Sequence, residues 1–176
     1  MAVTAAGTPY VESSDNVADY PGVSLALANH IDATAGKVLQ VVTATHATEV
    51  STTSTSWVTT GITATITPSS ASSKILILAN SGVESSLASS QSTSFTIFRG
   101  TVAGTNLGDS ARGMAQCYAL STTNLRVPLS INYLDSPSTT SAQAYTLGMQ
   151  LSGSGSTGYS SRQSSVSSIT LIEVAA

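Results

Sequence analysis

The side chains that could carry acid–base, nucleophilic or metal chemistry are few in this chain. The two histidines are His30 and His46, and the one cysteine is Cys117. General acid–base catalysis usually relies on a histidine or on paired carboxylates, and metal sites need clustered ligands. His46 and Glu49 are close in sequence, but their segment has the composition of a loop, and we interpret both as solvated polar residues. The sequence therefore predicts no catalytic residue, no metal site and no cofactor.

The sequence contains no motif that would indicate a serine nucleophile or a phosphate-binding loop. Serine is so abundant that no single serine is informative, and the chain has no Gly-x-Ser-x-Gly turn of the kind that presents a serine nucleophile. It also lacks the Gly-x-x-x-x-Gly-Lys-Ser/Thr loop that wraps phosphates. We expect a protein that is not an enzyme and does not bind nucleotides.

For three other side chains the sequence allows either a structural role or a binding role. Trp57 is the only tryptophan, and it fits either the core of a β-sandwich or a platform on which a sugar stacks. Tyr159 follows a Gly/Ser-rich stretch over 152–158 that we predict to be an exposed loop, which makes this tyrosine a candidate for an exposed contact. Cys117 lies in a strand-like run, where a free cysteine is usually buried.

Charge is scarce and hydroxyl groups are plentiful. Charged residues make up 9% of the 176 residues, and serine and threonine together make up about a third. The formal net charge is −3, and the four arginines are scattered singly. Nucleic-acid binding requires clustered lysine and arginine, so this composition argues against it. No apolar run approaches the roughly 18 residues of a membrane span. The N-terminal residues lack a secretory signal pattern, and we expect synthesis in a cytoplasm without membrane insertion.

Strand signals repeat from Gly36 to the end of the chain. Residues 61–67 alternate strictly between polar and apolar types, and residues 74–79 form a continuous apolar run of strand length. Eight or nine such segments, separated by Gly, Pro, Asn and Ser clusters, predict an all-β antiparallel sandwich or barrel over residues 37–176. We also expect the strands over 125–133 and 142–151 to form a hairpin with a turn at 135–138.

Residues 1–36 lack this pattern and read as an extended arm with one short helix over about 21–34. Val23, Leu27 and Ile31 recur every four residues, which is helical spacing. A helix this short is marginal alone, so its apolar stripe requires a partner surface. The arm also contains Tyr10, Tyr20 and His30. If three copies of this helix pack together, His30 would lie near their common axis, in a position to bind an ion or a water. The candidate attachment and oligomer-interface residues are Tyr10, Tyr20, Val23, Leu27, His30 and Ile31.

Several segments together resemble proteins of tailed phages. The arm sequences over 8–15, 17–21 and 25–32 resemble attachment segments that precede tail and fibre modules. The body resembles small β-rich virion proteins of marine and cyanobacterial phages, and the segments that carry this resemblance are 36–42, 66–77, 133–137 and 169–174. The resemblance covers nearly the whole chain and carries no catalytic motif.

This resemblance implies a homotrimeric, jelly-roll-like sandwich on the exterior of a virion. The arm would anchor the protein to other virion proteins of the capsid, neck or tail, and the sandwich would project outward as a tail or neck fibre that contacts a host-surface glycan. One alternative is a capsid decoration or cement protein that stabilises the head shell. A further alternative is a carbohydrate-binding adhesin module outside any phage.

Overall fold

A computed structural model of the chain describes residues 2–3, 9–10, 38–88 and 90–175. The chain divides into two compact units, Met1–Lys37 and Val38–Ala176. In the first unit, strand β1 (Ala2–Val3) pairs antiparallel with β2 (Pro9–Tyr10), which places Tyr10 opposite Ala2. The predicted helix over 21–34 lies outside the described residues. So do the predicted interface residues Tyr20, Val23, Leu27, His30 and Ile31.

Eleven strands form the second unit. They are β3 (Val38–His46), β4 (Val50–Thr52), β5 (Val58–Ile66), β6 (Lys74–Leu87), β7 (Gln91–Arg99), β8 (Thr105–Asn106), β9 (Ala115–Ala119), β10 (Thr123–Asp135), β11 (Gln143–Leu151), β12 (Thr157–Ser160) and β13 (Ser167–Val174). The only helical element among residues 38–88 and 90–175 is the single 3₁₀ turn Arg162–Ser164.

These strands form two antiparallel sheets. In sheet I, β6 pairs with β10 along one side and with β13 and β12 along the other, and β3 and β4 add to β13 and β12. In sheet II, the order is β5-β11-β7, and β7 pairs on its far side with β8 and β9. The prediction of an all-β antiparallel sandwich is confirmed. The three shortest strands (β4, β8 and β12) were not predicted.

The core lies between the two sheets and is built by residues that alternate along each strand. In β5, Ile62 and Ile66 are buried, whereas Thr63 and Thr65 are exposed. Phe95 and the other core residues of sheet II are also almost fully buried. Because side chains on a strand alternate between faces, the period-two pattern in the sequence predicts which side of β5 is buried.

Strand β6 is longer than the apolar run that predicts it. The run ends at Ala79, but the strand continues to Leu87 with Ser81 and Ser85 at core-facing positions. The position of Ser81 tolerates serine because hydroxyl groups there bond to each other: Ser81 Oγ lies 3.1 Å from Ser160 Oγ and accepts from Ser167 Oγ at 2.8 Å, whereas Ser85 takes no part in this network. Buried hydroxyls cost little when they are paired, so a polar sequence can continue a buried strand.

The predicted hairpin at 135–138 is wrong. Strand β10 belongs to sheet I and pairs with β6, whereas β11 belongs to sheet II and pairs with β5 and β7. The connection 136–142 therefore crosses from one sheet to the other. Asp135, which resembles a turn residue in sequence, is buried: it accepts from Arg99 Nη2 at 2.5 Å and from the Tyr145 hydroxyl at 2.6 Å.

Candidate binding surfaces

The outer face of sheet II, opposite the core, carries a row of polar side chains. Phe95 and Met149 face the core, so the intervening residues of β7 and β11 face outward. On this face Ser92 lies opposite Tyr118, and Ser94 lies opposite both Gln116 and Gln150. Residues 107–114, which connect β8 to β9, pass over the same face. A cleft lies between this connection and the polar row.

Hydrogen bonds fix the floor of the cleft. Gln116 Nε2 donates to Ser94 Oγ at 2.8 Å, and Gln150 Nε2 donates to the backbone oxygen of Ala111 at 2.7 Å. The second bond ties the floor to the overlying connection. Gln150 is 8% exposed, so its amide is held by the protein before any ligand arrives.

The connection that forms one wall is held by local geometry. Asp109 Oδ1 accepts from the backbone N–H groups of Ala111 and Arg112, at 3.0 and 2.7 Å, and fixes a tight turn. The indole N–H of Trp57 donates to the backbone oxygen of Ser110 at 3.0 Å. The same ring packs edge-on against Phe98, with centroids 5.6 Å apart.

Trp57 thus lies partly buried behind the wall and does not line the cleft. Trp57 is not one of the core residues between the two sheets, as one of the two interpretations expected, and it packs instead on the outer side of sheet II against Phe98 and the backbone of Ser110. Tyr118, which the sequence did not single out, is 53% exposed and lines the cleft. Cys117, its neighbour on β9, points into the core as predicted, and burial raises the pKa of its thiol.

The cleft has a volume of about 770 Å³ and is lined by hydroxyls, amides, one phenol and one guanidinium. Its lining residues are Thr55, Ser90, Ser92, Ser110, Ala111, Arg112, Gln116, Tyr118, Gln150, Leu151 and Ser152. No carboxylate lines it. This volume falls in the range of small-ligand sites, and the uncharged donors and acceptors suit a ligand rich in hydroxyl groups.

Tyr159 lies on β12 in sheet I and is not among the residues that line this cleft. It is partly buried, and the Arg162 guanidinium lies 4.4 Å from its ring centroid. The preceding segment is less loop-like than predicted, because Ser156 is buried and strand pairing resumes at Thr157. This segment has Gly-x-Gly-x-x-Gly spacing over 153–158. A dinucleotide site requires this motif to lead from a strand into a helix, whereas here it joins two strands.

Arg162 also links the carboxylates near this tyrosine. Its Nε donates to Glu84 Oε2 at 3.0 Å and its Nη1 donates to Glu49 Oε2 at 2.7 Å, and Arg126 contributes a second ion pair to Glu84. The hydrogen bond from Arg162 is the main cause that lowers the pKa of Glu84. Glu49, predicted to be a solvated loop residue, is a member of this network.

His46 ends β3 and lies beside a buried serine. Its Nδ1 is 3.5 Å from Ser161 Oγ, and Ser161 is fully buried. Within residues 38–88 and 90–175 there is no group of three His, Cys, Asp or Glu side chains that could hold a metal ion.

The outer face of sheet I differs from that of sheet II. Four apolar side chains stand in a row across four neighbouring strands, at positions directly opposite each other in the strand register. This apolar row consists of Leu134, Leu76, Ile172 and Val41. Its two end members are the most accessible, with Leu134 50% and Val41 57% exposed. Contiguous apolar patches of this kind on a soluble domain often mark contacts with another protein.

No protein-family model matches this chain, and no curated protein matches its sequence. Among the described residues there is no helix with the length and apolarity needed to cross a bilayer.

Proposed function

We propose that this protein is a non-enzymatic structural component of a bacteriophage virion. In this proposal it is a homotrimer, its N-terminal arm over 1–36 anchors it to other virion proteins, and its sandwich faces outward as a tail or neck fibre that binds a glycan of the host surface. The observation that carries the proposal is the contrast between the two outer faces of the sandwich. One face has an apolar row suited to assembly, and the other has a polar cleft without a lining carboxylate, which is suited to the exterior.

The apolar row supports self-association with further copies of this chain. No member of the row is charged, so three copies can turn their rows toward a common axis without opposing like charges. Across its four strands, the apolar row together with one row of outward side chains on either side of it covers roughly 400 Å² per copy, given strand and residue spacings. Two such faces bury roughly 800 Å², which is less than the roughly 1,200 Å² of a stable interface. In this proposal the arm residues supply the rest of the buried interface area, so both parts of the chain contribute to the trimer.

A jelly-roll topology is part of the same proposal. The order β3-β13-β6-β10 in sheet I and β5-β11-β7-β9 in sheet II supports it. The chain also changes sheet at six of the ten connections between β3 and β13, as two interlocked Greek keys require.

Deletion of residues 1–36 tests the anchoring role. The remaining unit, Val38–Ala176, contains the complete sandwich, so we expect it to fold but to be missing from purified particles. The matched control is a full-length chain with Val166→Ser, which alters an exposed residue of the sandwich and leaves the arm intact. Normal incorporation of the truncated chain would overturn the anchoring role, and the absence of the wild-type chain from particles would overturn the virion role.

The copy number in particles separates the two virion roles. A few copies at one vertex indicate a tail or neck fibre, whereas hundreds over the shell indicate a capsid decoration protein. A second candidate function is a carbohydrate-binding adhesin outside any phage, and the polar cleft favours it. Glycan binding by a chain that never enters particles would support that candidate.

A further inference from the structure

We propose that the cleft over sheet II binds a saccharide that carries a carboxylate group, and that Arg112 is the partner of this carboxylate. The inference rests on the surface-binding part of the proposed function and specifies the chemistry of the ligand. It is drawn from the charge and hydrogen bonding of the residues that line the cleft.

Arg112 differs from the other three arginines. Arg99, Arg126 and Arg162 each form an ion pair with a glutamate or aspartate. Arg112 is exposed, and within residues 38–88 and 90–175 its guanidinium has no carboxylate partner. A guanidinium presents a planar set of donors that matches the two oxygens of a carboxylate.

The nearest acidic residue in sequence does not neutralise this cation. Asp109 uses Oδ1 to accept from the backbone N–H groups of Ala111 and Arg112 and is not among the cleft-lining residues. The same turn holds the backbone of Arg112 in place at the cleft wall. The wall therefore presents one cation toward a cleft that contains no lining carboxylate.

The rest of the cleft suits the neutral part of a sugar. The amide nitrogen of Gln150 is occupied by the backbone of Ala111, which leaves its carbonyl oxygen as an acceptor for a ligand hydroxyl. Ser92 adds a hydroxyl that can donate to the ligand. The Ser152 hydroxyl donates to Gln91 Oε1 at 2.8 Å and accepts from the Ser92 backbone N–H at 2.8 Å, so it offers the ligand only an acceptor lone pair. Tyr118, half exposed on the edge strand β9, offers a ring face for the apolar side of a pyranose.

One cation among neutral polar groups also argues for a ligand with few negative charges. Polyphosphates and nucleic acids are bound by several lysines and arginines that act together. Arg112 is the single cationic residue in this cleft. A monocarboxylate repeat, such as a uronic acid unit, matches one guanidinium.

Isothermal titration calorimetry on the full-length protein tests this inference with two probes. The first is tri-galacturonate, and the second is the same trisaccharide with its carboxyl groups reduced to alcohols. We expect the acidic probe to bind at least about ten-fold tighter than the neutral probe, since one charge-assisted contact is worth a factor of this size. Arg112→Gln should abolish this preference, Arg112→Lys should retain part of it, and Tyr118→Ala should weaken both probes.

Lys74→Gln is the matched control, because Lys74 is an exposed cation on sheet I, and its loss should leave both affinities unchanged. Equal binding of the two probes, or an unchanged preference in Arg112→Gln, would overturn the role of Arg112. Failure of both probes to bind would overturn the saccharide assignment. Neither result affects the virion role, which depends on the presence of the chain in particles and is measured separately.

Discussion

The Tyr145 hydroxyl donates a hydrogen bond to Asp135 Oδ2 at 2.6 Å and thereby joins the two sheets through the core. Tyr145 belongs to β11 in sheet II, and Asp135 ends β10 in sheet I. Arg99, from β7 in sheet II, adds an ion pair to the same carboxylate. Burial and the hydrogen bond to Asp135 raise the pKa of Tyr145, so the phenol remains a donor at all ordinary pH values.

Replacement of Asp135 should therefore destabilise the sandwich strongly. Asp135→Ala leaves the Arg99 guanidinium without its carboxylate and the buried Tyr145 hydroxyl without its acceptor. We expect a loss of about 3–5 kcal/mol in the free energy of unfolding, measured by urea denaturation. Tyr145→Phe removes one hydrogen bond and leaves the ion pair, so about 1 kcal/mol is expected. Equal losses in the two variants would contradict this account.

Glu173 should make the stability depend on acid pH. Burial raises the pKa of its carboxyl, but hydrogen bonds from the Ser69 hydroxyl at 2.7 Å and the Gln40 amide at 2.6 Å outweigh this effect. The result is a pKa of about 2, below the ordinary value of 4.5. Because the folded-state pKa is the lower one, Glu173 stabilises the fold above pH 4.5 and this contribution is lost as the pH falls toward 2.

Glu173→Gln provides the comparison for this effect. Between pH 5 and pH 2, the wild-type free energy of unfolding should fall by about 3 kcal/mol more than that of the variant. At pH 6 the variant should be the less stable protein. Parallel pH profiles for the two proteins would show that the carboxylate of Glu173 is not the source of the acid sensitivity.

Gly113 should be required for the wall of the cleft. Its φ of +66° is unfavourable for other residues, and a Cβ there would lie 2.4 Å from the Phe95 backbone oxygen and 2.9 Å from Trp57 Cη2. Gly155→Ala is the control, since Gly155 has a φ of +83° but its added Cβ would meet nothing closer than Ala88 Cβ at 3.7 Å.

The control should cost about 1–2 kcal/mol from its backbone conformation alone, and Gly113→Ala should cost clearly more because of the clash. Trp57 is the only tryptophan, so its fluorescence reports directly on this wall. We expect a shift of its emission to longer wavelength in Gly113→Ala and none in Gly155→Ala. An unshifted spectrum in Gly113→Ala would mean that the connection keeps its place against the indole.

The apolar row of sheet I should determine self-association. Leu134→Ser and Val41→Ser each remove a large apolar side chain from an end of the row, and each should raise the dissociation constant by about ten-fold. Val166→Ser removes a side chain that is 69% exposed but outside the row, and it should have no effect. Analytical ultracentrifugation gives the dissociation constants. A wild-type chain that remains monomeric at high concentration would overturn the proposed use of this face.

The sequence predicts most of this fold because its strands alternate cleanly where one face meets water. Strand β5 is the clearest case, with threonine outward and isoleucine inward. The second half of β6 could not be predicted because Ser81 and Ser85 face the core, and the bonds that replace apolar contact at Ser81 come from hydroxyl groups far away in sequence. The turn predicted at Asp135 was wrong for a related reason. The hydrogen-bond partners of Asp135, Arg99 and Tyr145, come from other strands, whereas the local sequence indicates only a turn.

The cleft could not be predicted from the sequence. Its polar floor combines Ser92, Gln116 and Gln150, which come from three strands and have no shared motif. Each is an ordinary polar residue on a strand, and only the pairing of β9 and β11 with β7 brings them together. Arg112 is equally ordinary in sequence, because the feature that distinguishes it is the lack of an ion-pair partner in the described fold.

The pairing of Val38 with Val174 gives the sandwich an uneven response to mechanical load. These residues are the first of β3 and the last of β13, and the two strands run antiparallel, so both ends of the unit emerge side by side. A force that separates these two ends loads the hydrogen bonds between β3 and β13 one at a time, as in a zipper. A force applied between Val38 and the far sheet must instead shear the packed core. The unit should therefore resist tension along the second path far better than along the first.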